Sequence, residues 1–332
     1  MNIGIVTPAP PGSLKGNRIT ALRWARLLRE LGHRVSVCQR FISQDFECLI
    51  ALHAQRSAGS IVRFRRQHPS RPLVVALTGT DIYGDIHRDQ RARRCLELAD
   101  RLVVLQPLAI RKLPARFRGK ARVIYQSVRL ADRQTRRRPA AKKPGAPFGV
   151  CVLAHLRSVK DPFRTALAAR RLPESSQILV RHYGAPLTKA MARRARREMT
   201  VNARYRWYGE VPRHAALHSL GRSHLLVLTS RLEGGANVIS EAIALGVPVL
   251  SSHIDGSVGL LGRDYPGYFP VGDAQALAHL LRRTETDARF YALLRRRCRR
   301  LRPLFEPSRE RRTWADLLRT MRLGTRREKR DL

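Results

Sequence analysis

Two glutamates lie eight residues apart in the segment SRLEGGANVISEAIALGVPVL, which follows an apolar run that predicts a β-strand. Glu233 precedes two glycines, which let a backbone approach a ligand closely, and Glu241 lies one turn into a helix predicted from Asn237. The first N–H groups and the positive dipole end of a helix bind anions. Carboxylates for sugar and ribose hydroxyls, beside donors for a diphosphate, predict a nucleotide-sugar site. In the alternative interpretation, Glu241 only complements the helix dipole and the glycines only form a turn.

Two basic loops follow other predicted strands. The loop LAHLRSVKDP, residues 153–162, contains Lys160, and the loop PAPPGSLKGNR, residues 8–18, contains Lys15 and Arg18. The second loop combines backbone N–H groups, a hydroxyl and two cations before a helix, which is typical of a phosphate site. It does not have the spacing of a Walker P-loop. A surface lysine at a helix start and an ordinary Gly-Pro turn are the respective alternatives.

Hydrogen-bonding side chains follow two further strands predicted in the first half. His53 follows the strand Cys48–Leu52, and we expect it to reach the sugar or an acceptor phosphate; a structural hydrogen bond is equally consistent with a lone histidine. The residues Thr78-Gly79-Thr80 follow the strand Leu73–Leu77 and offer hydroxyls at the same edge. Asp81 comes next and serves either this site or the cap of the following helix.

Short apolar runs alternate with amphipathic helical stretches along both halves of the chain, a pattern typical of parallel sheets with helices on both faces. In the first half we predict strands at Asn2–Thr7, Arg34–Cys38, Cys48–Leu52, Leu73–Leu77, Leu102–Leu105 and Val123–Tyr125, and helices at Asn17–Leu31, Arg56–Gln67 and Arg88–Asp100. In the second half we predict strands at Phe148–Leu153, Gln177–Val180, Arg206–Tyr208, Leu225–Leu228 and Val247–Leu250, and helices at Pro162–Arg171, Lys189–Met199, Arg213–Leu220, Asn237–Leu245, Ala274–Thr284, Ala288–Leu301 and Ser308–Leu323. The pattern predicts an α/β fold of two Rossmann-like, doubly wound parallel-sheet domains with a cleft between them, and with ligands at the carboxyl ends of the strands.

A polar, basic and proline-rich segment, Ala131–Pro147, has no periodicity and separates the two halves. We therefore expect an N-terminal acceptor domain over residues 1–146 and a C-terminal donor domain over residues 147–307. The last predicted helix, 308–323, is expected to pack back on the first domain. With 332 residues, 43% of them hydrophobic, the chain is long enough to bury two cores, which excludes global disorder.

The chain carries 65 lysines and arginines against 25 acidic residues, a net charge of +40. Such a charge attracts polyanions of any kind, including nucleic acids, anionic membranes and phosphorylated small molecules. An arginine-rich composition is also what a GC-rich genome produces. The runs Arg193–Arg197 and Arg295–Arg302 are predicted on solvated helix faces without the interleaved aromatics that stack on bases. No specific nucleic-acid partner is therefore expected.

Five scattered cysteines have no metal-ligand spacing, and we expect neither a metal nor a cofactor. They indicate reduced, mostly buried thiols in a cytoplasmic protein. The start MNIGIVTPAPPG has no basic region and predicts a first strand rather than a signal peptide. No apolar run reaches the roughly 18 residues that a membrane span requires.

The E-x7-E spacing of Glu233 and Glu241, followed by A-x-x-x-G-x-P-V, resembles the family 4 retaining glycosyltransferases of the two-Rossmann GT-B fold, along the whole chain. The segments PPGSLKGNRITALRWA, LIALHAQRSA, ALTGTDIY, HLRSVKDPFRTALAAR, RLEGGANVISEA and SVGLLGRDYPGYFPVGD look like the selenosugar synthases of selenoneine biosynthesis. This narrower resemblance implies a UDP-sugar donor, UDP-N-acetylglucosamine or UDP-glucose, and selenophosphate as the selenium source. It implies a product with a carbon–selenium bond, and a downstream enzyme of the selenoneine pathway as a partner.

The resemblance also implies which residues hold the donor. Lys160 occupies the place of the lysine in the family's G-R-L-x-x-x-K loop and is expected to bind the diphosphate. Ala154 and His155 replace the glycine and arginine of that loop, so Arg157 is the expected substitute for the arginine. The other expected donor-binding residues are Glu210 and Val211 at the base, and Gly234, Gly235, Ala236, Asn237 and Val238 at the helix start.

In the same resemblance, Glu233 fixes the sugar hydroxyls, Glu241 binds the ribose, and Lys160, Glu233 and His53 are the expected catalytic residues. The acceptor selenium is already anionic and needs no general base, unlike a sugar hydroxyl. Asp81 and Asp85 are the acids near a predicted strand end of the first domain. The expected acceptor-binding residues are Gly12, Ser13, Lys15, Gly16, Asn17, Arg18, Thr78, Gly79 and Thr80.

Two other functions share part of this evidence. A conventional family 4 glycosyltransferase with a carbohydrate or lipid acceptor would share every donor motif and differ only in the acceptor. A basic nucleic-acid-binding protein accounts for the charge alone, and it predicts tight and steeply salt-dependent binding. The two strand-end glutamates argue against the second alternative, because a groove for a polyanion would not contain them.

Overall fold

The computed structural model describes residues 1–130 and 146–328, so most of the predicted linker Ala131–Pro147 lies outside the described part of the chain. The chain divides into two compact units. Unit 1 comprises Met1–Ser127 and the chain from Glu306 onward, and unit 2 comprises Val128–Phe305. The division falls after Ser127, earlier in the chain than residue 146.

Unit 1 contains one six-stranded parallel sheet in the order β2-β1-β3-β4-β5-β6. The chain moves outward from β1 to β2 and then returns to β3 on the other side of β1, so β1 and β3 form the switch point where ligands bind in open α/β sheets. The strands are β1 Asn2–Val6, β2 Arg34–Cys38, β3 Cys48–Leu52, β4 Leu73–Leu77, β5 Arg101–Val104 and β6 Ala121–Val123. The helices are α1 Gly16–Glu30, α2 Ala58–Gln67, α3 Asp85–Arg88, α4 Gln90–Leu98, α5 Leu108–Lys112, α6 Ala115–Arg118 and, from the end of the chain, α14 Pro307–Glu328.

Successive residues of the buried strands of unit 1 face two different hydrophobic cores. Leu49 and Ala51 of β3 lie in a core with Phe64 of α2, whereas Ile50 of β3 lies in a core with Trp24 of α1. Trp24 packs edge-on against Trp314 of α14, with 4.9 Å between ring centroids. Strands buried on both faces explain the continuous apolar runs in the sequence, and α14 contributes to the core of unit 1.

Unit 2 contains a second six-stranded parallel sheet, in the order β12-β11-β10-β7-β8-β9, with its switch point between β7 and β10. Its strands are β7 Phe148–Leu153, β8 Ile178–Tyr183, β9 Tyr205–Trp207, β10 Leu225–Leu228, β11 Val249–Ser252 and β12 Tyr268–Phe269. Its helices are α7 Arg164–Ala169, α8 Lys189–Val201, α9 Arg213–Gly221, α10 Asn237–Leu245, α11 Asp255–Leu261, α12 Ala274–Thr286 and α13 Ala288–Leu301. Both sheets confirm the prediction of two Rossmann-like parallel-sheet domains.

Several predicted boundaries are wrong by a few residues. The strand predicted at Val123–Tyr125 is Ala121–Val123, because its pairing with β5 begins at Ala121 opposite Leu102. The helix predicted from Arg56 begins at Ala58, and the one predicted over Pro162–Arg171 covers only Arg164–Ala169. In the described part of the chain, no helix has both the length and the apolarity to cross a membrane.

Candidate functional site

The switch point of unit 2 brings together Lys160 and Glu233, two residues that the sequence predicts for one site. Lys160 ends a single 3-10 turn, Ser158–Lys160, in the loop after β7, and Glu233 lies in the loop after β10. Their ammonium and carboxylate groups form an ion pair, and Ser230 Oγ donates a hydrogen bond to the same carboxylate oxygen at 2.7 Å. Both side chains keep some exposure to solvent, 26% and 12%, so an incoming ligand has access to the pair.

Hydrogen bonds to backbone carbonyl groups fix the two loops to each other. Thr229 Oγ1 donates to the carbonyl oxygens of Lys160 and Asp161 at 2.9 and 3.0 Å, and Arg231 N–H donates to the Val159 carbonyl at 2.8 Å. Asp161 has a left-handed backbone, with φ of 42°, and its carboxylate accepts a hydrogen bond from Arg164 Nε at 2.9 Å. The loop after β10 therefore holds the turn that contains Lys160 in place.

The start of α11 packs on the backbone of Glu233 at Gly256, a residue that the motif reasoning did not identify. A Cβ atom at Gly256 would lie 2.1 Å from the Glu233 carbonyl oxygen, so no larger residue fits without displacing the loop. The sequence segment SVGLLG near Gly256 carries no local signal for this contact, because the two residues meet only in the fold. Gly256 thus belongs to the structure that positions Glu233.

The helix α10 begins at the predicted residue, Asn237, directly after the glycine pair. Its N-cap residue, Ala236, has no side chain that could cap the helix, and the first turn contains no acidic residue. Gly246 ends the helix in a left-handed conformation with φ of 77°, as the sequence predicts. Gly234 and Ala236 are buried, and Gly235, Asn237 and Val238 are half-buried. The N-terminus of α10 therefore suits a phosphate group.

Glu241 lies in the second turn of α10 and is 5% exposed. Its Oε1 lies 2.5 Å from Nη1 of Arg213, the first residue of α9. Glu210 and Val211, which the resemblance places at the nucleotide base, precede this arginine by a few residues; Glu210 is exposed and Val211 half-buried. The structure thus connects the loop after β9 to the acid expected at the ribose through Arg213, a residue that sequence reasoning missed.

The loop after β7 is held by His182, a fully buried residue of β8. His182 Nε2 lies 2.9 Å from the Ala154 carbonyl and donates to it, while Nδ1 accepts a hydrogen bond from Tyr205 OH at 2.8 Å. Burial lowers the pKa of His182 from 6.5 to about 4, so the ring is neutral. His155 Nδ1 accepts from the Ala185 N–H at 3.1 Å, so His155 supports the loop. Arg157 is half-buried, and its guanidinium forms no ion pair or hydrogen bond with residues 1–130 or 146–328.

In unit 1, the predicted phosphate loop leads into the N-terminus of α1 at the β1–β3 switch point. Ser13 Oγ accepts from the Lys15 N–H at 3.2 Å, and Thr78 Oγ1 from the loop after β4 donates to Asn17 Oδ1 at 2.8 Å. The first turn of α1 contains no acidic residue, and the Lys15 side chain does not cap it. Gly12, Lys15 and Gly16 are exposed, Ser13, Asn17 and Gly79 are half-buried, and the Thr80 side chain lies outside the described residues.

Arg18 lies in the first turn of α1, and its guanidinium forms no ion pair with the part of the chain that the structure describes. Its Nε and Nη1 atoms are enclosed and form no hydrogen bond with the described residues. A cation removed from water without a counter-charge is costly, which favours an anion at this position. Most of the predicted unit 1 residues therefore lie around one helix N-terminus with an unmatched positive charge.

His53 is 3% exposed and has a positive φ of 71°, a conformation that few non-glycine residues adopt. Its Nδ1 lies 3.9 Å from Asp81 Oδ2, and its Nε2 lies 3.9 Å from Asp85 Oδ2. Asp81 is completely buried and accepts hydrogen bonds from the N–H groups of Gly79 and Ala54 at 2.8 and 3.1 Å. The alternative that Asp81 caps a helix is wrong, because it instead joins the loops after β3 and β4.

All five cysteines are free, and the prediction that most of them are buried is confirmed, since four are buried and Cys38 is half-buried. Burial raises the pKa of the Cys95 and Cys151 thiols to about 12 and that of Cys298 to about 11, so none of these three is a thiolate nucleophile at neutral pH. Within the ranges that the structure describes, no cluster of three or more His, Cys, Asp or Glu residues could hold a metal ion.

Two doubly wound units, with a Lys–Glu pair and an acid-free helix N-terminus at the switch point of unit 2, define a two-domain α/β protein of the GT-B type. Residues 133–300, just over half of the chain, match the protein family described as Glycosyl transferases group 1. The chain therefore belongs to this family. The resemblance of the E-x7-E element to glycosyltransferases is thereby confirmed at the level of the family.

Solved structures share the fold at low sequence identity. HepE from Anabaena, crystallised with UDP and glucose, has a TM-score of 0.74 and 17% identity, over 96% of this chain and 100% of that one. Sucrose-phosphate synthase from Thermosynechococcus elongatus has a TM-score of 0.76 and 16% identity, over 97% and 99% of the two chains. Among curated proteins, TuaC of Bacillus subtilis, assigned to teichuronic acid biosynthesis as a glycosyltransferase, is 38% identical over 79 residues. That match covers 24% of this chain and only 20% of TuaC.

Proposed function

We propose that this glycosyltransferase uses a UDP-sugar as its donor and transfers the sugar to the selenium of selenophosphate. The observation that carries the donor assignment is the Lys160–Glu233 pair at the β7–β10 switch point, beside the acid-free first turn of α10. A ligand bound there meets a cation, a carboxylate and a helix N-terminus together. UDP in the HepE structure supports the choice of nucleotide.

The donor diphosphate binds Lys160, Arg157 and the first N–H groups of α10, while Glu233 accepts hydrogen bonds from the sugar hydroxyls. When the bond between sugar C1 and the diphosphate oxygen breaks, UDP leaves with the electron pair and an additional negative charge. Cations placed at that oxygen stabilise the transition state more than the ground state. In the structure, Lys160 is paired with Glu233, and on donor binding the diphosphate takes the place of that carboxylate at the ammonium group.

The acceptor part of the proposal rests on the resemblance to selenosugar synthases and on the unmatched charge of unit 1. Selenophosphate carries an anionic selenium and a phosphoryl group, and the Arg18 guanidinium with the α1 N-terminus suits the phosphoryl group. The selenium lone pair forms the new bond to C1, and the C1–O bond to UDP breaks. Water then hydrolyses the P–Se bond, which yields phosphate and the selenol of the sugar. The nucleophile needs no general base, so His53 positions the site rather than accepting a proton.

The test is incubation with UDP-N-acetylglucosamine or UDP-glucose and selenophosphate, followed by mass spectrometry of the products. The selenium isotope pattern in a sugar product, together with UDP release, is expected. A product formed only with a carbohydrate or lipid acceptor would refute the selenium assignment and leave the donor assignment intact.

The donor site is tested with variants at its two central residues. Lys160→Ala and Glu233→Ala are expected to lower turnover by at least about a hundredfold, the usual cost of removing a group that stabilises the transition state. The exposed residues Lys112 and Glu174 provide matched controls, since Lys112→Ala and Glu174→Ala remove the same groups outside the two loops that form the site. Near-normal turnover of both site variants would place the donor elsewhere.

A further inference from the structure

The buried carboxylate of Glu241 has a single described ion-pair partner, and that partner has no role in the site described so far. Arg213 Nη1 lies 2.5 Å from Glu241 Oε1, with the Glu241 side chain 7% exposed and the Arg213 side chain 35% exposed. The second oxygen, Oε2, forms no ion pair and no hydrogen bond with the described residues. Oε1 is enclosed and is held by its charge pairing with the arginine, outside hydrogen-bond geometry, and Oε2 is left for a ligand.

The backbone at the start of α9 fixes the position of Arg213. It is the first residue of α9 and follows Pro212, whose extended ψ of 146° fixes where the helix begins. The loop immediately before it contains Glu210 and Val211. An arginine at this position spans from the loop after β9 to the second turn of α10, two elements that are 28 residues apart in the sequence.

We propose that Arg213 is a positioning residue that makes the site selective for a ribonucleoside diphosphate. This inference rests on the proposed function, because it assumes that Glu241 receives the ribose. The arginine holds Oε1 and thereby orients Oε2 toward the ribose hydroxyls, which donate to it. The guanidinium, like the ribose hydroxyls, can only donate to the carboxylate, and its Nη1 atom lies at Oε1, which leaves Oε2 as an acceptor for the hydroxyls. Without Arg213, the carboxylate loses both its counter-charge and its fixed orientation.

Selectivity follows from the chemistry of the hydrogen bond. A hydroxyl that donates to an ionised carboxylate gains more than a hydroxyl that donates to a neutral acceptor. A nucleotide without the ribose hydroxyls would leave the buried Glu241 carboxylate unsatisfied. A site with such an unpaired group discriminates most strongly between ligands with and without the hydroxyls. If Arg213 held the diphosphate and did not orient Glu241, its loss would weaken the binding of nucleotides with and without the ribose hydroxyls equally.

The experiment measures the dissociation constants of UDP and of 2′,3′-dideoxy-UDP by calorimetry. The wild-type chain is expected to bind UDP at least about tenfold more tightly, the size of a hydrogen bond to a charged group. In Arg213→Gln, this ratio is expected to fall to about twofold or less, with little change for the dideoxy ligand. Arg222→Gln, at the exposed end of the same helix, is the matched control and is expected to keep the wild-type ratio.

Two results would overturn the inference: equal affinity of the wild-type chain for both ligands, or an Arg213→Gln variant that weakens both ligands with the ratio unchanged. Absence of any UDP binding by the wild-type chain would instead refute the proposed function, so the two failures are distinguishable. Should Arg213→Gln not fold, as judged by its thermal unfolding, Arg213→Lys is measured by the same criterion. It keeps the charge but not the planar donor fork, and a ratio unchanged from wild type in that variant would also refute the inference.

Discussion

Acidification should destabilise unit 2 through His182, the buried histidine that holds the loop leading to Arg157 and Lys160. Burial lowers the pKa of His182 from 6.5 in the unfolded chain to about 4 in the native chain. The native state therefore binds fewer protons than the unfolded state between these two values. Stability is at its full value above pH 6.5 and falls as the pH decreases toward 4. A shift of this size corresponds to a total loss of about 3 kcal/mol, of which about 2 kcal/mol is lost by pH 5.

The assay is urea unfolding of the wild type and of His182→Gln at about pH 7.5 and about pH 5. Glutamine keeps an N–H donor for the Ala154 carbonyl but does not titrate, so the variant should be less stable at pH 7.5 and lose about 2 kcal/mol less on acidification. The exposed His218 provides the control, because His218→Gln should leave the pH dependence unchanged. The same pH dependence in wild type and His182→Gln would mean that protonation of His182 costs nothing in the native state, which would refute the reasoning.

Three further predictions concern the loops and the closing helix. Gly256→Ala should lower kcat/KM by at least about tenfold, because its Cβ displaces the Glu233 loop, whereas Gly59→Ala on α2, with open space around its Cβ, should stabilise the chain by about 0.5–1 kcal/mol. Equal activity of the two alanine variants would contradict this. Lys15→Ala and Arg18→Ala should raise the KM for selenophosphate and leave the affinity for UDP, measured by calorimetry, unchanged. Arg40→Ala is the exposed control. A parallel loss of UDP affinity would assign the loop to the donor. Glu310 of α14 is 2% exposed and accepts from Trp24 Nε1 and Ser127 N–H at 2.7 Å each, with Arg23 Nε at 3.4 Å. Glu310→Gln should therefore lower the free energy of unfolding, measured in urea, by about 3 kcal/mol. The exposed control Glu306→Gln should change it very little, and a similarly small effect of both variants would refute the role of the Glu310 charge.

The sheets of both units could be predicted from the sequence because their strands are buried on both faces. A strand such as Leu73–Leu77 is a run of five apolar residues, all buried, and its bounds were predicted correctly. The missed elements are those too short to show a period. The helices α3 and α6 have four residues each, α5 has five and α11 has seven, and the strand β12 has two. A helix of one or two turns leaves no amphipathic pattern to detect.

The site was partly predictable for a different reason. The Lys160 and Glu233 pairing follows from two motifs that each come after a strand, and strand order then brings the loops together. Arg213, Gly256 and His182 carry no such signal. Each acts through a contact with a residue 23 to 28 positions away, as with Gly256 at the Glu233 backbone and His182 at the Ala154 carbonyl. Only the packing of α9, α11 and β8 against the loops reveals those contacts.

The charges of the two proposed anion sites differ in a way that bears on how each ligand binds. In unit 2, the Lys160 ammonium is already paired with Glu233, and a phosphate has to take the place of that carboxylate. In unit 1, Arg18 has no such partner to release, and two of its enclosed nitrogens make no hydrogen bond with the described chain. An anion at Arg18 therefore gains hydrogen bonds without breaking any, whereas an anion at Lys160 replaces one partner with another. Phosphate should consequently bind more tightly at unit 1 than at unit 2, because it removes a cost that the folded protein otherwise carries, and the tighter binding should raise the thermal stability of the chain more.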